Sequence, residues 1–468
     1  MGKKELRASM TQGNLWTGIL LFALPLAATG ILQQFFNAAD IAIVGKYTGE
    51  QGELAMAAVG ANSPLVGIVT NLFVGIALGT NVVIANSIGR GDGKSINRAV
   101  HTSILIALFG GLIFSLIAQA YAVPILSSQN VPEEVLPYAV LYFRIYMLGL
   151  PVILLYNFEA AILRGMGNTT TPLLTLFLSG ALNVLLNLFF VLRLKRTVDG
   201  VAIATVASNG VSALVLLIYL MKKDTPARVR LSDLRIDTPT LGKIMKIGIP
   251  AGIQSTVFGI ANIIIQSSIN SLGPLVMASS SAAFNIELFA YYVLNSFSQA
   301  CTSFTGQNYG AGKIDRCKKV IRLSMIEGII AMAVAIAVIL FFGKDILHVF
   351  NDSPDIINVA YERLMIIFSA YIFTLSYEVI SGYLRGFGIS LIPAILTTVG
   401  ICGVRLSWIF LVFNNHKTFN TIMLAYPLSL SATALILFVA LLMIRPSRKA
   451  ENEKKRALSK AGNYPEDQ

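Results

Sequence analysis

Twelve segments of this chain are long and apolar enough to cross a lipid bilayer, and little polar sequence is left between them. They lie at roughly 15–44, 53–82, 97–123, 135–163, 170–192, 200–221, 240–270, 276–305, 318–342, 357–384, 390–413 and 417–444, each near or above the ~20 residues a helix needs to cross ~30 Å of hydrocarbon. With 55% hydrophobic and 13% charged residues over 468 positions, no soluble core could absorb this much apolar surface. A helix satisfies its own backbone without water, so the expected fold is an all-α integral membrane protein. The first apolar run continues for about thirty residues with no small-residue cleavage site, which marks a retained first helix, not a signal peptide. Turn chemistry separates the spans, as at Asn130-Val131-Pro132 and Asn351-Asp352-Ser353-Pro354.

Charge sets the expected orientation. Lys and Arg number 27 on the side that carries the N-terminus and the 222–246 segment, against six on the other. That bias predicts both termini in the cytoplasm and an even number of spans in the cell membrane. The net charge of +12 then serves an anionic lipid surface, and no nucleic acid is needed to explain it. Two polar stretches stand apart: Lys222–Lys246 is expected to be a linker, and the basic tail Arg445–Gln468, with seven Lys and Arg, to be disordered.

The chain repeats itself. Leu163–Pro172, LRGMGNTTTP, returns as Leu384–Pro393, LRGFGISLIP, an offset of 221 residues. Met56-Ala57 returns as Met277-Ala278, Asn86 aligns with Gln307, and Gly89 with Gly310, at the same offset. Pro25 pairs with Pro250 at a slightly larger one. The implied plan is a cytoplasmic N-terminus (1–14), a six-helix lobe (15–221), a linker (222–239), a second six-helix lobe (240–444) and the tail (445–468). Two pseudo-symmetric lobes of six helices enter from the same side and leave a central cleft, a plan common among secondary transporters.

One carboxylate is out of place in this pattern. Gln33, Asn37 and Asp40 share one face of the first span, ringed by Phe35, Phe36, Ile41 and Ile43. A charge at that depth costs about 2.5–3.5 kcal/mol on insertion scales and is placed facing a polar interior. The fifth span offers Thr175, Ser179, Asn183 and Asn187 at four-residue spacing, and the sixth adds Thr205, Ser208 and Asn209. One carboxylate among neutral oxygens suits Na⁺ or a transferable proton. The alternative is a polar residue at headgroup level, with the Asn residues joining helices by hydrogen bonds.

The second half has Glu287 and Glu378 in spans eight and ten. Glu287, Tyr291 and Asn295 are four residues apart, and with Phe284 and Gln34 they are candidates for a cavity lining. Glu159 is expected to pair with Arg164. Arg144, Arg363 and Arg405 are the intramembrane cations, the first two expected as anchors near helix starts. Gly89–Ser95, GRGDGKS, lacks the first glycine of a phosphate loop, because Ile88 stands there. Cys301, Cys317 and Cys402, like His101, His348 and His416, form no metal or redox spacing, so neither a cofactor nor an enzyme is suggested.

FALPLAATGILQQFFNAADIAIVGKYTG in the first span, the two LRG turns, GALNVLLN in the fifth span and DGVAIATVASNG entering the sixth resemble the multidrug and toxic compound extrusion (MATE) family from about residue 15 to 444. The resemblance implies a monomeric antiporter that exports bulky, cationic or amphipathic organic compounds in exchange for Na⁺ or H⁺. It implies coupling through Asp40, Asn183 and Thr205, and with Asn187 beside them these four are the expected ligands if the ion is Na⁺. Asn187 takes the position that often carries a second carboxylate in members with a cation site in this half, and so leaves the site at a single negative charge. The runner-up is a flippase for a lipid-linked saccharide, from which additional helices and a cation-rich cavity are expected.

Overall fold

The computed structural model describes residues 10–47, 52–129, 131–348 and 351–460, and no strand occurs among them. Lys3, Lys4, Arg7, the turn residue Asn130 and the last eight residues of the tail lie outside the described residues. In chain order the first repeat contains α1 (Leu15–Tyr47), α2 (Gly52–Arg90), α3 (Gly93–Ser127), α4 (Leu136–Leu148), α5 (Leu150–Gly165), α6 (Thr170–Leu188) and α7 (Val198–Lys222). After a 3₁₀ turn at Leu231–Asp233 come α8 (Thr238–Asn270), α9 (Pro274–Gly310), α10 (Ile314–Phe341), α11 (Gly343–His348), α12 (Pro354–Ser369) and α13 (Tyr371–Gly386). The chain continues through α14 (Leu391–Thr397), α15 (Val404–Trp408), α16 (Phe419–Ile444) and α17 (Pro446–Lys460).

Among the described residues nine helices are long and apolar enough to span, or up to eleven when α4–α5 and α12–α13 each count as one bent span. The remaining expected span is α9, 37 residues long. Its buried Ser298, Thr302, Gln307 and Asn308 lower its hydropathy while facing protein. The same effect carries α2 to Arg90, past the expected end near 82, because Asn86 and Ser87 remain inside.

The repeat seen in the sequence recurs in the backbone. Gly91 and Gly312 have φ of 71° and 69°, and Gly167 and Gly388 have 87° and 82°. At each pair the last turn closes identically: Asp92 N–H reaches Ser87 O at 3.0 Å and Lys313 N–H reaches Asn308 O at 2.9 Å, while Asn168 and Ile389 N–H reach Leu163 and Leu384 O at 2.9 and 3.0 Å. These left-handed caps are the conformation glycine adopts without penalty, which is why the LRG turns repeat as sequence. The expected fourth and tenth spans are each broken, by 49° at Gly149 and 48° at Ala370, again 221 residues apart. Both breaks tighten to three-residue hydrogen bonds, Gly149 N–H to Tyr146 O and Ala370 N–H to Ile367 O, each at 3.1 Å. Pro151 accounts for the first, since it removes a donor just after the break; no proline stands at the second.

Packing divides the chain into two compact units. One gathers Ala28–Ile84 and Gly93–Gly259; the other gathers the described residues before Ala28, Ala85–Asp92 and those from Ile260 onward. The division by repeat and the division by packing therefore differ, and α1, α2 and α8 each contribute to both units. In the first unit Gly75 and Gly79 of α2 lie against Gly252 and Gly248 of α8, so close that a Cβ on Gly75 would stand 2.2 Å from Gly252 N. Such small-residue contacts let helices approach where lipid offers no hydrophobic drive. In the second unit Leu15, Ile19 and Phe22 of α1 are buried with Phe297 and Phe304 of α9 and Leu364 of α12.

The segment between α7 and α8 is tied to its surroundings. His101 at the start of α3 accepts Arg230 N–H through Nε2 at 3.0 Å, with Nδ1 bonded to Asn97 O at 2.8 Å. Asp237 opens α8 by accepting Thr240 N–H at 3.0 Å, and hydrogen bonding from Thr240 holds its carboxyl below the usual range. The tail does not match the expected disorder: Pro446–Lys460 is α17. Pro446 starts it, Glu451 pairs with Lys318, and Lys454 donates to Gly312 O at 3.2 Å.

Within the second unit the repeat closes on itself. Gly89 faces the Gln307 carbonyl and Gly310 faces the Asn86 carbonyl, and a Cβ on either glycine would fall 2.1 Å from that oxygen. Gly89→Ala and Gly310→Ala are each expected to destabilise by about 1–3 kcal/mol, the usual penalty of overpacking. Gly60→Ala, with nothing within 4 Å of its Cβ, is the control; thermal unfolding in detergent should leave it unchanged while both others melt lower.

Candidate functional site

Asp40 sits seven residues before the end of α1, on a helix with Pro25 in its interior. Its position is keyed by the preceding turn. The Phe36 ring occupies the space a Cβ on Gly180 of α6 would need, which holds α1 against α6. One turn further, Asn187 Nδ2 donates to Asp40 Oδ1 at 2.5 Å, and Thr205 of α7 donates to Asp40 Oδ2 at 3.3 Å. Asn187 Nδ2 also reaches Asn183 Oδ1 at 3.3 Å, and Asn183 Nδ2 reaches Thr205 Oγ1 at 3.4 Å. All four residues belong to the first compact unit, and Asn183 and Asn187 are buried.

Counting donors shows what the cluster can accept. Thr205 has one hydroxyl hydrogen and two acceptors, Asp40 Oδ2 and its own-helix Val201 O at 2.9 Å, so it serves one at a time. The nearer is the carbonyl. Asn187 Oδ1 is buried with no hydrogen-bond partner. The cluster therefore holds spare acceptor capacity on Asp40 Oδ2 and Asn187 Oδ1, with the Thr205 oxygen beside them. A single carboxylate with neutral oxygens can take one proton or one hard monovalent cation. Tyr142 and Tyr146 of α4, stacked with centroids 6.1 Å apart, are close enough to feel the Asp40 charge. In the sequence only their four-residue spacing points to them.

The rest of the polar stripe is satisfied within its own helices. Thr175 and Ser179 donate to Thr171 O and Leu176 O, and Ser208 and Asn209 to Thr205 O. Gln33 is half-buried and Asn37 exposed, and neither joins the Asp40 hydrogen bonds. Gln34 lies on the same stretch, half-buried.

In the second unit the residues expected to share one face have different partners. Glu287 forms an ion pair with Arg363 at 3.3 Å and accepts from Tyr371 at 3.1 Å. Tyr291 accepts from Asn295 at 3.5 Å, and Asn295 in turn from Gln299 at 2.8 Å. Glu378 is buried, bonded by Ser298 at 3.4 Å and near Arg385 and Tyr291. Phe284 is 41% exposed. Arg363 is thus a buried ion-pair partner and not an anchor at a helix start. Glu159 forms no pair with Arg164: both carboxyl oxygens are buried without a hydrogen-bond partner, and Arg164 Nε donates to Ala160 O at 3.3 Å. Glu327 of α10 has the same environment. Among the described residues no three His, Cys, Asp or Glu are grouped to hold a metal.

The MatE family matches this chain twice, over residues 25–189 and again over 250–411, which is the internal repeat found a third way. The chain is 26% identical over 435 residues to the probable multidrug resistance protein YoeA of Bacillus subtilis, covering 91% of this chain and 93% of that one. It is 26% identical over 398 residues to the probable multidrug resistance protein NorM of Thermotoga maritima, covering 84% and 85%. A crystal structure of MATE in complex with MaL6 superposes with a TM-score of 0.86 at 21% identity, over 96% of this chain and 99% of that one.

Asn187→Ala removes a buried donor to a carboxylate and should lower stability by about 1.5–3 kcal/mol, the range for hydrogen bonds to charged groups. Asn37→Ala should change it by less than about 0.5 kcal/mol, as at a surface position. Thermal unfolding of the two variants side by side checks both.

Proposed function

The chain belongs to the MatE family, and on that premise we propose that it is a secondary antiporter which exports bulky, cationic or amphipathic organic compounds in exchange for Na⁺ or H⁺ by alternating access. The observation that carries this reading is the Asp40 cluster: one carboxylate on a membrane-spanning helix, bonded only by neutral groups from two other helices and left with spare acceptor capacity. The names of the relatives support drug extrusion as the outcome.

The chemistry follows from the donors. A proton on Asp40 Oδ2 removes the charge, and the Thr205 hydroxyl is then free to stay on Val201 O. A Na⁺ ion would instead be held by Asp40, Asn187 and Thr205, with Asn183 behind them, and would turn the amide of Asn187 away from Oδ1. A proton thus releases the tie from α1 to α7 and leaves that to α6, whereas Na⁺ would displace both. Moving one charge inward through 100 mV supplies about 2.3 kcal/mol, enough for one site to drive useful accumulation. Pro25 cannot donate to the carbonyl of Leu21, so α1 has a weak point in the same helix as Asp40. Bending there couples occupancy of Asp40 to access.

In this proposal both termini are cytoplasmic, the membrane is the cell membrane, and the working form is a monomer in contact with lipid and its organic substrates. Gln33, Gln34, Asn37, Phe284, Tyr291, Asn295 and Glu378 remain proposed cavity residues, and Glu287 enters only through its pair with Arg363.

Proteoliposomes with an imposed ion gradient test the coupling. Asp40→Asn should abolish gradient-driven export while equilibrium substrate binding persists, whereas normal export would leave Asp40 as a polar residue at headgroup level. Asn187→Asp should raise Na⁺ affinity, because two carboxylates compensate a cation better than one; unchanged affinity argues for a proton. Pro25→Ala should express and fold normally yet export more slowly, and an undiminished rate counts against the bend.

A further inference from the structure

Arg405 differs from Arg144 and Arg363 in lying, on the short helix α15, between two π-helical segments, Thr398–Gly403 and Ile409–Phe413. π turns reset the phase of a helix and concentrate at functional sites. The Arg405 side chain is 8% exposed, its Nε donates to Ser429 Oγ at 2.8 Å, and its guanidinium lies over the Tyr426 ring at 4.4 Å. Among the described residues no carboxylate forms an ion pair with it.

A second guanidinium shares the same ring. Arg363, 2% exposed, lies 5.5 Å from the Tyr426 centroid. One of its nitrogens, Nη2, pairs with Glu287, while Nε and Nη1 are buried with no hydrogen-bond partner. That leaves three N–H donors unused. Two guanidiniums and one carboxylate give the cluster a net positive charge, and Glu287 is further occupied by Tyr371. The nearby Glu378 is taken up by Ser298 and lies near Arg385. A buried guanidinium without a counter-charge, next to another with idle donors, is a costly arrangement for packing alone.

We propose that Arg405, Arg363 and Tyr426 form a binding site in the second unit for the anionic group (carboxylate, sulfonate or phosphate) of an organic molecule with a flat apolar body. A guanidinium fork matches a pair of oxygens on a carboxylate, sulfonate or phosphate, and the Tyr426 ring lies against both forks. The site extends the range of the exporter to zwitterionic and anionic amphiphiles. It depends on the export proposal only for its use, because binding itself requires no gradient.

Carboxyfluorescein and rhodamine 123, an anionic and a cationic dye on the same ring skeleton, are titrated against the full chain in neutral phosphatidylcholine nanodiscs. Carboxyfluorescein is expected to bind, and R405Q to weaken it about tenfold or more, as for loss of one buried charged hydrogen bond, with rhodamine 123 unaffected. Ser429→Ala, which leaves the charge and frees Nε, should bind the anion at least as well. If R405Q does not fold, R405K, which keeps the charge but loses the fork, takes its place in the comparison. Displacement of carboxyfluorescein by added phosphatidylglycerol would assign the site to a lipid headgroup; failure to displace it assigns the site to soluble anions. Absence of carboxyfluorescein binding, or equal affinity in wild type and the Arg405 variant, overturns the site. Lost transport with intact dye binding would instead count against the antiport proposal alone.

Discussion

Lipid offers no hydrogen bonds, and nearly everything in this structure follows from that. Each spanning segment must satisfy its backbone within itself, so the chain is helix almost throughout and its irregularities need local solutions. The glycine caps after α2, α5, α9 and α13 supply those solutions at the helix ends, and the three-residue hydrogen bonds at Gly149 and Ala370 supply them at the bends. The same rule governs side chains. Asp40 is tolerable because Asn187 and Thr205 reach it, and Ser298, Thr302, Gln307 and Asn308 are tolerable in α9 because they face protein.

Much of this was legible in the sequence. The repeat could be read from LRGMG and LRGFG because a left-handed cap demands glycine, and a demand of that kind is written as identity. The convergence of Asp40, Asn183, Asn187 and Thr205 could be read because each lies at helical spacing on an apolar segment where polar groups are few. Gln33 and Asn37 show the limit: they share a helical face with Asp40, but spacing along one helix says nothing about which neighbour is opposite. Glu287 shows the same limit: it shares a helix with Tyr291 and Asn295, but its partners Arg363 and Tyr371 come from α12 and α13.

Other features left no local trace. The bend at Ala370 has no proline to announce it and is visible only by comparison with Gly149. The two π segments around Arg405 depend on how one helix packs on α16, which no short pattern encodes. The helix in the tail is hidden because its composition is that of a solvated chain, while Lys318, from a distant segment, supplies the partner that helps hold Glu451 and with it α17. Hydropathy likewise shortened α2 and hid the length of α9, because it cannot tell a polar residue facing protein from one facing water.

The contact between Gly89 and Gly310 has a further meaning. Each glycine touches the carbonyl of the residue three before the other, and the two positions are copies of one another. This is the geometry of an isologous interface, in which a surface meets its own duplicate across a twofold axis. In a single chain made of two unequal halves, such a contact persists only if both copies keep the same small residue. A side chain at either glycine meets backbone, which no side-chain change in the other half can clear, so the two positions are held to glycine together while the repeats diverge elsewhere.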